Sequence, residues 1–202
     1  MKIIAIDFET SGLRPGEHAP VTIGLALMDG GNVIDSEEWL LGTPTDKNGR
    51  INRAYDVVAL EISGTKWTSI KRDGLPHVQV CKEMLAFTRE HDALYTPVVA
   101  FNAPFDFAWY SDLLYLGGSW NQHERRFETF LPPLAGPWHC ARLMAVHALP
   151  GLCDYKLDTV ADACGLARSG ASHCALEDAI LAGKVFAHIQ SLAKGQRSTE
   201  VA

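Results

Sequence analysis

The sequence predicts an α/β domain, and three observations carry the prediction. Ile3 to Phe8 is a near-continuous apolar run that ends in an acidic turn, which suits a central strand buried on both faces. Val21, Ile23, Leu25 and Leu27 then alternate with small residues, and Asp29-Gly30-Gly31-Asn32 ahead of Val33-Ile34 is a strong hairpin signal, so three antiparallel strands open the chain. Beyond them, short buried-strand candidates are interleaved with helical patterns.

In order, Val57 to Ser63 and Val78 to Glu90 read as helices, the second introduced by Pro76. Val98-Val99-Ala100-Phe101 is a second short buried strand, and Asn102 followed by Ala103-Pro104 reads as an N-cap with proline in the first helical turn. Leu116 to Trp138 is rich in glycine and proline with few periodic apolar positions, so a long loop with at most one helical turn is expected. Trp138-His139-Cys140 reads as a strand, Ala141 to Ala148 and Leu157 to Cys164 as helices, and Ala175 to Leu192 as a closing helix. Its apolar face is Leu176, Ala179, Gly183, Phe186 and Ile189. Residues 1–193 are expected to form one domain and 194–202 a short, polar, disordered tail.

The composition is that of a globular chain: 202 residues, 47% of them hydrophobic. The apolar start, Met1 to Ile6, is interrupted by Asp7 and Glu9 and is too short for a signal-peptide core or a membrane span, so a cytoplasmic protein with no membrane partner is expected. Five widely spaced cysteines without a Cys-x-x-Cys pair suggest neither a disulfide framework nor a zinc ribbon. A formal net charge of −6 argues against holding nucleic acid by bulk electrostatics. It leaves open an enzyme that engages its substrate locally through metal ions.

The chemistry-bearing residues fall in three segments: Asp7-Phe8-Glu9-Thr10, Phe101-Asn102-Ala103-Pro104-Phe105-Asp106, and His173-Cys174-Ala175-Leu176-Glu177-Asp178. In a strand, Asp7 and Glu9 face the same way with roughly 7 Å between their Cβ atoms, near enough to share a cation, and Phe8 points into the core. Asp106 reaches the same end of the sheet if its strand lies beside the first. His173 and Asp178 would stand about 140° apart on one helix, so if both serve one site His173 belongs on a mobile, non-helical loop after Ser169-Gly170-Ala171-Ser172. Clustered carboxylates repel, so some of their pKa values should rise without metal, and metal binding should strengthen with pH. Asp and Glu are hard oxygen ligands suited to Mg²⁺ or Mn²⁺, and a nearby neutral histidine can accept a proton from water.

Asp7 to Leu13 resembles the first exonuclease motif of the DnaQ-like superfamily, Phe101 to Asp106 the second, and Tyr155-Lys156-Leu157-Asp158-Thr159-Val160-Ala161 with His173 to Asp178 the third. The histidine marks the DEDDh branch. The resemblance implies an RNase H-like fold with a mixed five-stranded sheet, three strands antiparallel and two parallel, flanked by helices. It also implies a 3′-to-5′ exonuclease in which Asp7, Glu9, Asp106 and Asp178 hold two Mg²⁺ or Mn²⁺ ions about 3.5–4 Å apart and His173 is the general base. Asn102 and Phe105 join the substrate-binding set, Thr10 contacts the terminal sugar, and Leu13 either wedges against the last base or packs in the core. The implied substrate is a nucleic acid 3′ end, DNA ahead of RNA and single-stranded by preference, with an RNA-trimming enzyme and a non-catalytic interaction module as alternatives. Nothing in the sequence points to a polymerase partner. Two further segments read equally as strand-gripping or as loop anchors: Lys66 to Arg72, and the long loop with Trp120, His123, Arg125, Arg126 and Trp138.

Overall fold

Alternation in the first forty residues does set three antiparallel strands, β1 (Lys2–Thr10), β2 (Pro20–Asp29) and β3 (Asn32–Leu40). Helices α1 (Val57–Ile62), α2 (Trp67–Asp73) and α3 (His77–Glu90) follow, then β4 (Val98–Ala100) and α4 (Ala103–Gly117). A small hairpin, β5 (Ser119–Asn121) with β6 (Arg126–Glu128), precedes β7 (Trp138–Cys140), α5 (Ala141–Ala148), α6 (Leu157–Ala163) and α7 (Ala175–Thr199). The structure, a computed structural model, describes residues 1–46, 48–121, 126–128, 132–168 and 173–199.

The central sheet has the order β3-β2-β1-β4-β7, with β4 parallel to β1 and β7 parallel to β4. This is the mixed sheet of three antiparallel and two parallel strands that the resemblance implied. The two-residue period of β1 sorts its side chains onto two cores. Ile4, Ile6 and Phe8 join Ile23, Leu25 and Leu27 under α3 and α4, with Met84, Trp109 and Leu113. Ile3 and Ala5 join Ala26, Met28 and Val99 under α5, α6 and α7, with Ala145, Val160 and Phe186. The second face is built of smaller residues, so α7 lies close on it: a Cβ at Gly183 would fall 2.3 Å from Met28 Sδ.

Four sequence expectations are revised. The long loop holds the β5–β6 hairpin, while His123 and Arg125 lie outside the described residues. Lys66 to Arg72 is mostly helical, as α2, too short for its periodicity to be read in advance. Asn102 occupies the N-cap position of α4 without a side-chain capping bond. The reason is chemical: Pro104 at the second helical position has no N–H, and the Phe105 N–H is taken by Asn102's own carbonyl oxygen at 2.8 Å. Finally, α7 runs past Lys194 to Thr199, where an unstructured tail was expected, because Ala193, Lys194, Gln196 and Arg197 propagate a helix already nucleated by packing.

Candidate functional site

Asp7 and Glu9 emerge from the second half of β1 on the face covered by α7, while Phe8, 4% exposed, turns into the opposite core. Across the sheet, Asp7 is opposite Gly24 and Gly24 is opposite Glu38, so one row of the sheet carries Glu38, Gly24 and Asp7 on the same side. Gly24 is the reason α7 can start there. A Cβ on it would lie 2.2 Å from the Ala175 carbonyl carbon and the Leu176 nitrogen, closer than any side chain permits. The first turn of α7 therefore rests on bare backbone, and Asp178, 9% exposed, arrives from that turn.

Asp106 comes from the first turn of α4 and is 2% exposed. Its carboxylate accepts the Phe8 N–H at 3.3 Å, which fixes it to the strand between the two acids of β1. His173 stands outside the helix, as a site shared with Asp178 would require. Its φ of 59° is in the left-handed region, a turn that swings the exposed imidazole back over the sheet end before α7 begins. Glu9, His173 and Asp178 each offer one ligand atom, and these atoms lie within 4.8 Å of one another.

The electrostatics are those of crowded acids. Burial pushes the Asp7 carboxyl well above the usual range, and the charges of Asp106 and Glu9 push it further, while Arg168 opposes them. Asp106 is raised by burial and by Glu9, against hydrogen bonds from the backbone of Phe8 and of Asp106 itself. Burial raises Glu9 too, with His173 and Arg168 pulling the other way. Hard carboxylate oxygens beside one imidazole form a donor set that fits Mg²⁺ or Mn²⁺, and a cation among them would offset the burial and the mutual repulsion that raise Asp7, Glu9 and Asp106.

Three residues of this site are absent from the sequence reading. Gly24 carried a signal, since glycine inside a strand marks a close approach of another backbone. Glu38 carried none: it lies on β3, and its carboxylate accepts the Leu176 N–H at 3.2 Å and the Cys174 thiol at 3.5 Å. It thereby caps α7 from across the sheet. Glu38→Ala is expected to cost about 1 kcal/mol of stability, the usual effect of losing a cap, measured as a lower melting temperature. The third is Arg168, whose guanidinium contacts both Asp178 and Asp158.

Beside the acids, with Glu9 alone of the four in its wall, lies an open cleft of about 510 Å³ lined by Thr10, Leu13, His18, Val58 and Ile62. Leu13 is 81% exposed, so of its two sequence readings the core-packing one falls. The Thr10 hydroxyl donates to the Gly12 carbonyl at 2.6 Å, which leaves its oxygen as an acceptor only. Asn102 is exposed, whereas Phe105 packs against the core with its ring 6.0 Å from that of Trp109. Trp67 and Trp138 of the two segments serve packing: Trp67 stacks edge-on with Tyr55 at 4.7 Å under the Lys71 ammonium, and Trp138 contacts Phe107 and Tyr110.

No family model matches the sequence, and comparison with curated proteins finds no match. Solved structures do match. The chain superposes on the nuclease domain of 3'hExo, a DEDDh family member, bound to rAMP, with a TM-score of 0.70 and 16% identity over 96% of this chain and 92% of that one. The chain has the fold of the DEDDh exonucleases. The exonuclease fold recurs in Exonuclease X in complex with 5′ overhanging duplex DNA, with a TM-score of 0.64 and 19% identity over 95% of this chain and 93% of that one. It recurs again in E. coli Exonuclease I in complex with a dT13 oligonucleotide, with a TM-score of 0.65 and 19% identity over 96% of this chain but only 40% of that one. Among the described residues, no helix is long and apolar enough to cross a membrane.

Proposed function

We propose that this chain is a metal-dependent 3′-to-5′ exonuclease of the DEDDh type, which hydrolyses the terminal phosphodiester of a nucleic acid and releases a nucleoside 5′-monophosphate. The observation that carries the reading is convergence: Asp7 and Glu9 from β1, Asp106 from α4, and Asp178 with His173 from the start of α7 meet at one end of the sheet inside a fold shared with such enzymes. Two Mg²⁺ or Mn²⁺ ions, held by Asp7, Glu9, Asp106 and Asp178, would polarise the scissile phosphate and offset the charge of the nucleophile and the leaving oxygen.

The chain's own groups supply the rest. The His173 imidazole is exposed and within reach of Glu9 and Asp178, placed to take a proton from the attacking water. Water attacks phosphorus, the bond to the 3′ oxygen of the preceding nucleotide breaks, and that oxygen ends as a new 3′ hydroxyl. The cleft beside Glu9 receives the terminal nucleotide, with Leu13 and Ile62 offering apolar surface to the base and the Thr10 oxygen accepting from the sugar. Asn102, exposed at the start of α4, is assigned to contact with the strand. We read the substrate as single-stranded DNA ends ahead of RNA; relatives in fold are seen with dT13, with overhanging duplex DNA and with rAMP.

The deciding experiment is digestion of matched 5′-labelled single-stranded DNA and RNA with Mg²⁺ or Mn²⁺, beside a His173→Ala control. A ladder shortening from the 3′ end, slowed at least 10²-fold in the control, is the expected result. DNA shortened faster than RNA supports the sugar preference, and the reverse order replaces it with RNA trimming. No metal-dependent shortening of either strand overturns the enzyme reading in favour of an interaction module.

A further inference from the structure

The part of the site that neither the motifs nor the proposed chemistry absorbs is Arg168. It lies in the segment after α6, with a side chain only 15% exposed. One guanidinium nitrogen contacts the Asp178 carboxylate. The others reach Asp158 in the first turn of α6, Nε at 3.1 Å and Nη2 at 2.7 Å. A single cation thus ties the first turn of α7 to the first turn of α6.

An arginine held this way faces a conflict. A carboxylate that ligates a metal ion needs its oxygens directed at that ion, and a guanidinium paired with the same carboxylate competes for it. Two positive charges cannot crowd one aspartate without cost. The Asp158 side chain is 63% exposed, and one of its oxygens accepts both bonds from Arg168. Asp158 therefore offers the guanidinium somewhere to stay when it leaves Asp178.

We propose that Arg168 is the resident counter-cation of the metal-free site, a positioning residue that holds Asp178 in place through Asp158 and yields that carboxylate when divalent cations load. This rests on the exonuclease reading of the same acids. Arg168 sets how much the empty site resists metal, and it keeps the acids together until metal arrives.

The test is calorimetric titration of Mn²⁺ into the full chain without nucleic acid, together with melting curves in EDTA, for wild type, Arg168→Gln and Arg168→Lys. Arg168→Gln is expected to melt lower than wild type in EDTA and to bind Mn²⁺ more tightly, by roughly tenfold, since a competing charge-assisted bond is gone. Arg168→Lys keeps the charge without the fork, so it should restore most of the affinity difference while regaining less of the melting temperature. Equal or weaker Mn²⁺ binding by Arg168→Gln, with wild type binding normally, overturns the counter-cation role and leaves the exonuclease reading standing. Wild type that binds no Mn²⁺ at millimolar concentration overturns both.

Discussion

Asp7→Asn is expected to slow metal-dependent digestion by at least 10²-fold and, at the same time, to make the metal-free protein more stable near neutral pH. The two effects have one cause. Asp7 sits beside Asp106 and Glu9 with a carboxyl pushed up first by burial and then by those neighbours. A carboxyl whose folded pKa is raised binds its proton more tightly in the folded state. The folded protein is therefore unpenalised below the ordinary carboxylate range and loses stability as pH climbs from there through the raised values. The cost therefore sets in above the ordinary carboxylate value of about 4 and is larger at about pH 8 than at about pH 5.

Asparagine of the same shape never ionises, so the variant should melt above wild type in EDTA at about pH 8, with the gap narrower at about pH 5 and closing below about pH 4. Mn²⁺ should raise the wild-type melting temperature more at the higher pH, because binding displaces protons, and should raise that of the variant little at either. His77, which burial and Arg53 hold down at about 4, also disfavours the folded state in acid. Both proteins carry it, so it cancels in the difference. A variant that keeps digestion within a few-fold of wild type, or Mn²⁺ shifts of equal size at both pH values, would remove Asp7 from the metal site.

Much of this candidate site was legible because its acidic residues sit where local rules are strong. Asp7 and Glu9 follow from the two-residue period of a buried strand, and Asp106 from a helix that opens after another such strand. The placement of His173 followed from an incompatibility, since it and Asp178 cannot share a helical face, and the turn with φ of 59° resolves it. What the sequence hid is long-range. Glu38 is 138 residues from the Leu176 N–H that it caps, and only the register of β2 against β3 brings them together. Arg168 had no motif to mark it, because its meaning lies in two helices meeting. Asn102 misled for the opposite reason: the local cap signal was present, but a proline had removed one of the donors it needed.

Gly24→Ala is expected to damage the site from a residue with no chemistry of its own. The added methyl would lie 2.2 Å from the backbone of Ala175 and Leu176, and these atoms cannot turn aside as a flexible side chain would. Clearing the contact requires α7 to lift or slide by about an ångström at its first turn, the turn that carries Asp178 and follows His173. Overpacking of this kind costs roughly 1–3 kcal/mol. Catalytic groups displaced by about an ångström lose on the order of 10²-fold in rate. The Leu176 N–H would also be drawn from Glu38, so the same shift strips the cap of α7. Gly195→Ala, farther along the same helix with nothing within 4 Å of the new methyl, is the matched control. It should digest at the wild-type rate and melt slightly higher, as alanine does against glycine in a helix, by about 0.5–1 kcal/mol. The diagnostic pair is melting temperature and single-turnover digestion rate. Gly24→Ala that loses stability yet digests at the wild-type rate would mean that the seat of α7 on β2 does not place Asp178 and His173, and that the register of the closing helix is set elsewhere.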